Sequence, residues 1–397
     1  MIIRPRVKGF ICTTAHPAGC LRRVEEDIAC AQGAPGTSGP RRVLVLGASG
    51  GYGLATRVAA AFGWGADTVG VSFEREATEA KVGTAGHYNT VAFDRLAADK
   101  GLRTASINSD AFSNEGKART LELVRETFGG EPVDLVVYSL AAPRRTDPAT
   151  GEAYSSVIKP IGGVFTGKNV DTATGAVSEV SLQPATEEET AATVKVMGGE
   201  DWLLWMQVLS EAGLLAEHCV SLAFSYIGPD KTHAIYKDGT IGQAKLDLEA
   251  KQREIDALLA PLGGKAYVSV NKALVTQASS AIPVVPLYIS LLYRVMQDVG
   301  SHEDCQKQMN RLLHRLYPSA LTGDFSAIPT DKAGRLRLDD WEMRPEVQAE
   351  VDARWQQVTG ENIEALGDLE EYRKDFLRIF GFGLEDVDYE ADISPIL

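Results

Sequence analysis

The feature that most constrains this chain is a short apolar run that passes straight into evenly spaced glycines. Val43-Leu44-Val45-Leu46 follows Arg41-Arg42, and Gly47-Ala48-Ser49-Gly50-Gly51-Tyr52-Gly53 follows at once. A run of this kind reads as a strand buried on both faces, and the residues from Tyr52 to Phe62 read as a helix of small side chains. Gly47, Gly50 and Gly53 then sit in the strand-to-helix turn. There a side chain would block the tight turn, the approach of a pyrophosphate or the helix–strand contact. The free N–H groups of the helix start face such a phosphate.

Glycines alone make only a loop, so their partner matters. Asp67 to Phe73 reads as a second strand, and Glu74 closes it 21 residues beyond Gly53. A carboxylate there holds the adenosine ribose hydroxyls and repels a 2′-phosphate, which favours NADH over NADPH. Arg75, next in the chain, is compatible with a phosphate and pulls the other way. Gly47-Ala48-Ser49-Gly50-Gly51 also satisfies G-x-S-x-G, the nucleophile turn of hydrolases. That reading leaves Glu74 without a role. It also needs a late histidine, for which only His302 and His314 follow His233, neither in a loop after a strand.

Further strands are expected near Ala105 to Ile107, at Val133 to Tyr138, at Val220 to Phe224 and at Ala266 to Val270, with a helix over Gly116 to Phe128. Strands alternating with helices predict an α/β fold with a doubly wound parallel sheet of the Rossmann type, similar to short-chain dehydrogenases. The chain reads as a single extended Rossmann domain over residues 1–397. Its parts are an N-terminal extension (1–40), a dinucleotide-binding half (41–142), a polar lid-like excursion (143–200), a catalytic half (201–315) and a charged helical C-terminal extension (316–397).

A net charge of −14 argues against a nucleic-acid partner, which requires a basic face. Five cysteines without a CxxC pair leave one over and point to reduced thiols in the cytoplasm. The N-terminus lacks the apolar core of a signal peptide. Ala281 to Tyr293 is too short to span a bilayer and holds Pro283 and Pro286, so no membrane insertion is expected. It reads equally as a wall for an apolar substrate or as a core helix. Cys12, His16 and Cys20 have the spacing of metal ligands but lack a fourth, and no metal is expected.

A reductase needs a proton donor beside the hydride acceptor, and Tyr236 with Lys245 offers one. A nearby ammonium is the usual means of lowering a tyrosine pKa. Thr240-Ile241-Gly242-Gln243 fits a capping box, which predicts a helix from about Ile241. Nine residues of continuous helix turn through about 900° and would set the two on opposite faces, so Tyr236 must precede a regular helix or lie on a distorted turn. Tyr226, at the end of its strand, reaches the same pocket. Most of the 12 tyrosines are expected to be packing residues.

With these residues in place, the chain resembles the V-type enoyl-acyl-carrier-protein reductases (FabV) and the trans-2-enoyl-CoA reductases. The likeness runs through Met1-Ile2-Ile3, Gly9-Phe10-Ile11-Cys12, Ser139-Leu140-Ala141-Ala142-Pro143, Val196-Met197-Gly198-Gly199, Val275-Thr276-Gln277-Ala278-Ser279 and Phe380-Gly381-Phe382-Gly383. The resemblance implies NADH-dependent reduction of a trans-2-enoyl thioester in fatty acid synthesis. It implies that Tyr236 is the proton donor, Lys245 the lysine contacting the cofactor, and Tyr226 a contact to the thioester carbonyl. Phe73-Glu74 and Asp110-Ala111 would form the adenosine site, and Ser139-Leu140 and Leu274-Val275-Thr276 would contact the dinucleotide beside the glycine loop. Leu246 stands where some members carry a second lysine, and Gly50-Gly51 replaces more hydroxylated loops. The acyl carrier, coenzyme A or acyl carrier protein, stays open, as does the oligomeric state, with a monomer compatible. A dinucleotide sensor without catalysis or a carbonyl-reducing short-chain dehydrogenase are the alternatives.

Overall fold

The computed structural model describes all residues, Met1–Leu397. Seven parallel strands form one sheet: β1 (Arg42–Leu46), β2 (Asp67–Ser72), β3 (Thr104–Asn108), β4 (Val133–Tyr138), β5 (Leu215–Ser225), β6 (Lys265–Val270) and β7 (Leu336–Arg337). Their order across the sheet is β3-β2-β1-β4-β5-β6-β7. The chain winds outward from β1 in one direction, then returns to β4 and winds in the other. The crevice between the carboxyl ends of β1 and β4 is therefore the switch point at which such sheets bind ligands.

Both faces of the sheet are covered, which explains the unbroken Val/Leu runs. On one face Trp202, Trp205 and Leu248 pack against β-strand residues such as Leu44 and Val136. On the other, Leu312, Leu313 and Leu316 join Ala55 and Ala59 over Val43 and Val45. The helix after the glycine loop is shorter than expected: Gly51–Val58 is α-helical and Ala59–Gly63 widens into a π-helical turn.

Three features depart from or sharpen the sequence expectations. Residues 143–200 hold two antiparallel hairpins, Arg144–Thr146 with Ala153–Ser155 and Phe165–Val170 with Val177–Leu182, followed by the helix Glu187–Met197. The capping box expected at Thr240 is not there. Gly239 caps the helix Thr240–Leu259, while the Thr240 hydroxyl donates to the Val157 carbonyl at 2.6 Å and ties the helix to the excursion. A true capping box closes Glu187–Met197, where Thr186 and Glu189 cap each other. Finally, Ala281–Tyr293, readable as a substrate wall or a core helix, packs as core. Its helix, Val285–Asp298, is buried almost throughout under Val347, Val351, Leu369 and Tyr372 of the C-terminal segment.

One buried ion pair anchors the loop after β3. Lys117 donates to Asp201 at 2.7 Å and to the carbonyls of Ala111 and Phe112 at 3.0 Å each, and both charged side chains are almost wholly enclosed. Removing one partner of such a pair strands the other charge in the core. Asp201→Ala is therefore expected to lower unfolding stability by about 3–5 kcal/mol. Urea denaturation measures this, and a loss well under 1 kcal/mol would contradict it.

Candidate active site

The glycine loop sits at the β1 end of the crevice, and its glycines serve different purposes. Gly47 has φ +88°, and a Cβ there would lie 2.3 Å from the Ser139 carbonyl oxygen. A Cβ on Gly53 would lie 2.0 Å from the Gly47 oxygen, so the helix can approach β1 only without one. Gly50 and Gly51 meet nothing within 4 Å. The space above them, in front of the first free N–H groups of the helix, is where a diphosphate fits.

Glu74 is pinned at the adenosine end. Ser49 donates to its Oε1 at 2.7 Å and Thr84 to its Oε2 at 2.6 Å, while Asn108 accepts from its N–H and donates to its carbonyl. Ser49 therefore orients a carboxylate and is not arranged as a hydrolase nucleophile. Phe73 leaves 76% of its surface open beside it, a free ring face for an adenine. Asp110 accepts from the Phe112 N–H at 3.0 Å, and the Ala111 carbonyl is held by Lys117 and Trp205. The open cradle, the carboxylate and the exposed ring fit NADH. Asn108 and Thr84 were not anticipated; the only hint was their place at a strand end and just before a helix.

Tyr226 and Tyr236 meet edge to face, with ring centroids 4.8 Å apart. Tyr236 lies in the turn between Asp230–His233 and Thr240–Leu259, ahead of the long helix, as the spacing allowed. Lys245 sits on that helix and donates to the Phe224 carbonyl at 3.0 Å rather than to Tyr236. Although the residue keeps some exposed surface, burial of its amine lowers the pKa to about 8. The expected depression of the Tyr236 pKa by this ammonium does not occur. Burial, and then the nearby Glu342, raise the phenol instead, so Tyr236 stays protonated.

The remaining residues frame this pair. Ser139 packs under Gly47 and Gly53, and Leu140 follows it at the β4 end. Leu274 and Val275 are buried, and Ser279 ties their turn by donating to the Leu274 carbonyl at 2.7 Å and accepting from the Thr276 N–H at 2.9 Å. The Tyr52 side chain turns away from the loop and donates to the Lys272 carbonyl at 2.8 Å. His16 does not gather Cys12 and Cys20 around a metal: its Nδ1 caps the helix Pro17–Gln32 by accepting from the Gly19 N–H at 3.2 Å.

Fold and site together define a nicotinamide-dinucleotide reductase of the Rossmann type. Residues 2–79 match the family described as the NAD(P)H binding domain of trans-2-enoyl-CoA reductase, and residues 81–317 match its catalytic region. The enoyl-acyl-carrier-protein reductase (NADH) 1 of Vibrio parahaemolyticus is 53% identical across 100% of this chain and 98% of its own. That of Cytophaga hutchinsonii is 54% identical across 99% and 98%. The crystal structure of Treponema denticola trans-2-enoyl-CoA reductase in complex with NAD superposes with TM-score 0.93 at 49% identity, covering 99% of this chain and 98% of that one. The Clostridium acetobutulicum enzyme in complex with NADH gives TM-score 0.94 at 43% identity, covering 100% and 98%. The chain belongs to this family of NADH-dependent enoyl thioester reductases.

Residues 330–393 match a region described as an enoyl reductase FAD binding domain. The residues present do not fit that group. This stretch holds 18 acidic residues against eight basic ones, which would repel a diphosphate. Of its basic residues, Arg335 and Arg337 are already engaged by Asp331 and Asp339.

The pinned Glu74 carboxylate leads to an expectation about cofactor preference. NADH is expected to support turnover well and NADPH poorly, and Glu74→Ala to narrow the gap by removing the charge that opposes a 2′-phosphate. Steady-state kinetics with both cofactors tests this; equal catalytic efficiency in the unaltered enzyme would overturn it.

Proposed function

We propose that Tyr236 is the hydrogen-bond and proton donor for reduction of a trans-2-enoyl thioester, with Lys245 on the cofactor ribose and Tyr226 against the thioester carbonyl. The observation that supports this is the edge-to-face Tyr226–Tyr236 pair just past the carboxyl end of β5, the same end of the parallel sheet at which the open glycine cradle follows β1. The dinucleotide, when bound, supplies hydride to the β-carbon of the double bond. Negative charge then develops on the carbonyl oxygen. Tyr236, kept protonated by burial, is suited to meet it with a hydrogen bond, as oxyanion-hole donors do. Lys245 orients rather than acidifies, since its ammonium is fixed on the Phe224 carbonyl with protons left for a ribose hydroxyl. Phe73, Glu74, Asp110 and Ala111 receive the adenosine, and the backbone of Ser139, Leu140 and Leu274 to Thr276 borders the nicotinamide half.

We infer that the acyl group arrives on acyl carrier protein or on coenzyme A, in the cytoplasm. No helix is long and apolar enough to cross a membrane. NADH oxidation with crotonyl-CoA, a longer enoyl-CoA and an enoyl carrier protein, run side by side, tests the reading and ranks the carriers. No turnover with any of the three would defeat it.

Tyr236→Phe is expected to lose about 10²–10⁴-fold in turnover, the usual worth of a general acid, while binding NADH normally. A near-normal rate would move the role to Tyr226. The Michaelis constant for NADH is expected to rise as pH passes upward through about 8, because Lys245 is charged below that value and neutral above it. A flat profile between about pH 7 and 9 would remove Lys245 from cofactor binding.

A further inference from the structure

A fully buried carboxylate lies directly behind the proposed substrate tyrosine. Glu342, in the C-terminal segment, accepts from the Tyr226 hydroxyl at 3.0 Å and the Tyr288 hydroxyl at 2.7 Å, both on Oε1. Its Oε2 accepts from the Ala273 N–H at 2.7 Å. No part of the residue reaches solvent. A phenol has one proton. While Tyr226 gives its proton to Glu342, only its oxygen lone pairs are left for the cleft. Tyr236 carries no such commitment.

We propose, building on the roles assigned to the two tyrosines above, that Glu342 is a positioning residue that withholds the Tyr226 proton from the substrate and so makes Tyr236 the single donor to the thioester carbonyl. Both tyrosines stand within one edge-to-face contact, so without this commitment either hydroxyl could serve. Tyr226 then bounds the substrate with its ring, set edge to face against Tyr236, and Tyr236 supplies the proton. The third donor keeps the arrangement one-sided: the Ala273 N–H can only donate, so it fixes which carboxylate oxygen faces the tyrosines.

That geometry dictates what an amide would do in the same place. In Glu342→Gln the amide oxygen must face the Ala273 N–H, because an NH₂ there would oppose another donor. The NH₂ then points at Tyr226 and Tyr288, whose oxygens turn from donor to acceptor. The Tyr226 proton is released toward the cleft. Protonation of Glu342 on Oε1 supplies one such proton, shared between Tyr226 and Tyr288, and so frees the Tyr226 proton in part without a substitution. Burial raises this carboxyl, with Asp339 pushing the same way and Lys272 opposing, and Tyr52, Tyr226, Tyr236 and Tyr288 are the titratable groups facing it.

The test is a rescue. Turnover of crotonyl-CoA is measured in Tyr236→Phe and in Tyr236→Phe/Glu342→Gln, with NADH binding as the check on folding. The double variant is expected to recover about ten- to a hundredfold over the single one, the worth of one hydrogen bond to a charged oxygen. Adding Tyr226→Phe is expected to abolish the gain. No recovery in a double variant that still binds NADH overturns the proposal. Should Glu342→Gln fail to bind NADH, the pH profile of Tyr236→Phe decides. Its residual rate is expected to climb as pH falls, and Tyr226→Phe/Tyr236→Phe to lack that climb; the same slope in both overturns the proposal. Failure of the reading beneath it has a separate signature, an unimpaired Tyr236→Phe.

Discussion

The close approach of the first helix to the first strand is the constraint on which the rest of this structure depends. With hydrogen in place of Cβ at Gly53, the helix start rests on the Gly47 carbonyl, and Gly47 in turn rests on the carbonyl of Ser139. Those contacts lock the ends of β1 and β4 together at the switch point. They also aim the free N–H groups of Gly51–Val58 into the crevice rather than along the sheet. Every other element of the site is measured from there: Glu74 from the end of β2, the Asp110 loop from β3, and Tyr226 from β5.

Around that fixed point the protein carries an unusual amount of buried polarity. Lys117 and Asp201 are enclosed as a pair, whereas Lys245 and Lys272 lie buried against backbone carbonyls, each lowered to about 8 by loss of water. Burying charge without full compensation is costly, and such groups concentrate where chemistry needs them. Here the direction of each shift is informative. Loss of water presses both amines toward neutrality, so each changes charge near physiological pH. Phenols pressed upward remain donors throughout the physiological range. Both phenols are held protonated, so the proposed donor is a tyrosine and not a tyrosinate made ready by lysine.

The parts of this site that were legible in the sequence are those in which one residue type does one job at a fixed chain distance. Gly47 to Gly53 and Glu74 are of that kind, because strand, turn and helix impose their spacing. Tyr236 and Lys245 were expected together; the tyrosine does lie ahead of the helix, but Lys245 bonds the Phe224 carbonyl and not Tyr236. Their electrostatics were not legible, since the depth of burial and the nearness of Glu342 depend on elements far along the chain. Thr240 misled for a similar reason. Its capping-box spacing was genuine, but a tertiary acceptor, the Val157 carbonyl, claimed the hydroxyl and left the cap to Gly239. β7 has two residues and pairs only through Ser269 and Val270, too short to leave a period. Residues such as Asn108 and Thr84 carry no pattern of their own; they matter because folding sets them against Glu74.

That dependence on distant elements bears on how the chain is divided. The three matched regions all contribute strands to one sheet: β1 and β2 come from the first, β3 to β6 from the second and β7 from the third. The side chains interlock in the same way. Tyr226 and Ala273 of the second region complete their hydrogen bonds on Glu342 of the third, and Gln308 of the second bonds the Leu338 carbonyl of the third at 2.9 Å. The acidic C-terminal segment is thus unsuited to hold a flavin, yet it supplies the acceptor for Tyr226 and Tyr288 and the cover over Val285–Asp298. A buried polar group must be satisfied wherever its partner comes from. For Tyr226 that partner lies 116 residues away, so the third region completes the hydrogen bonding of the second and is not an appendage to it.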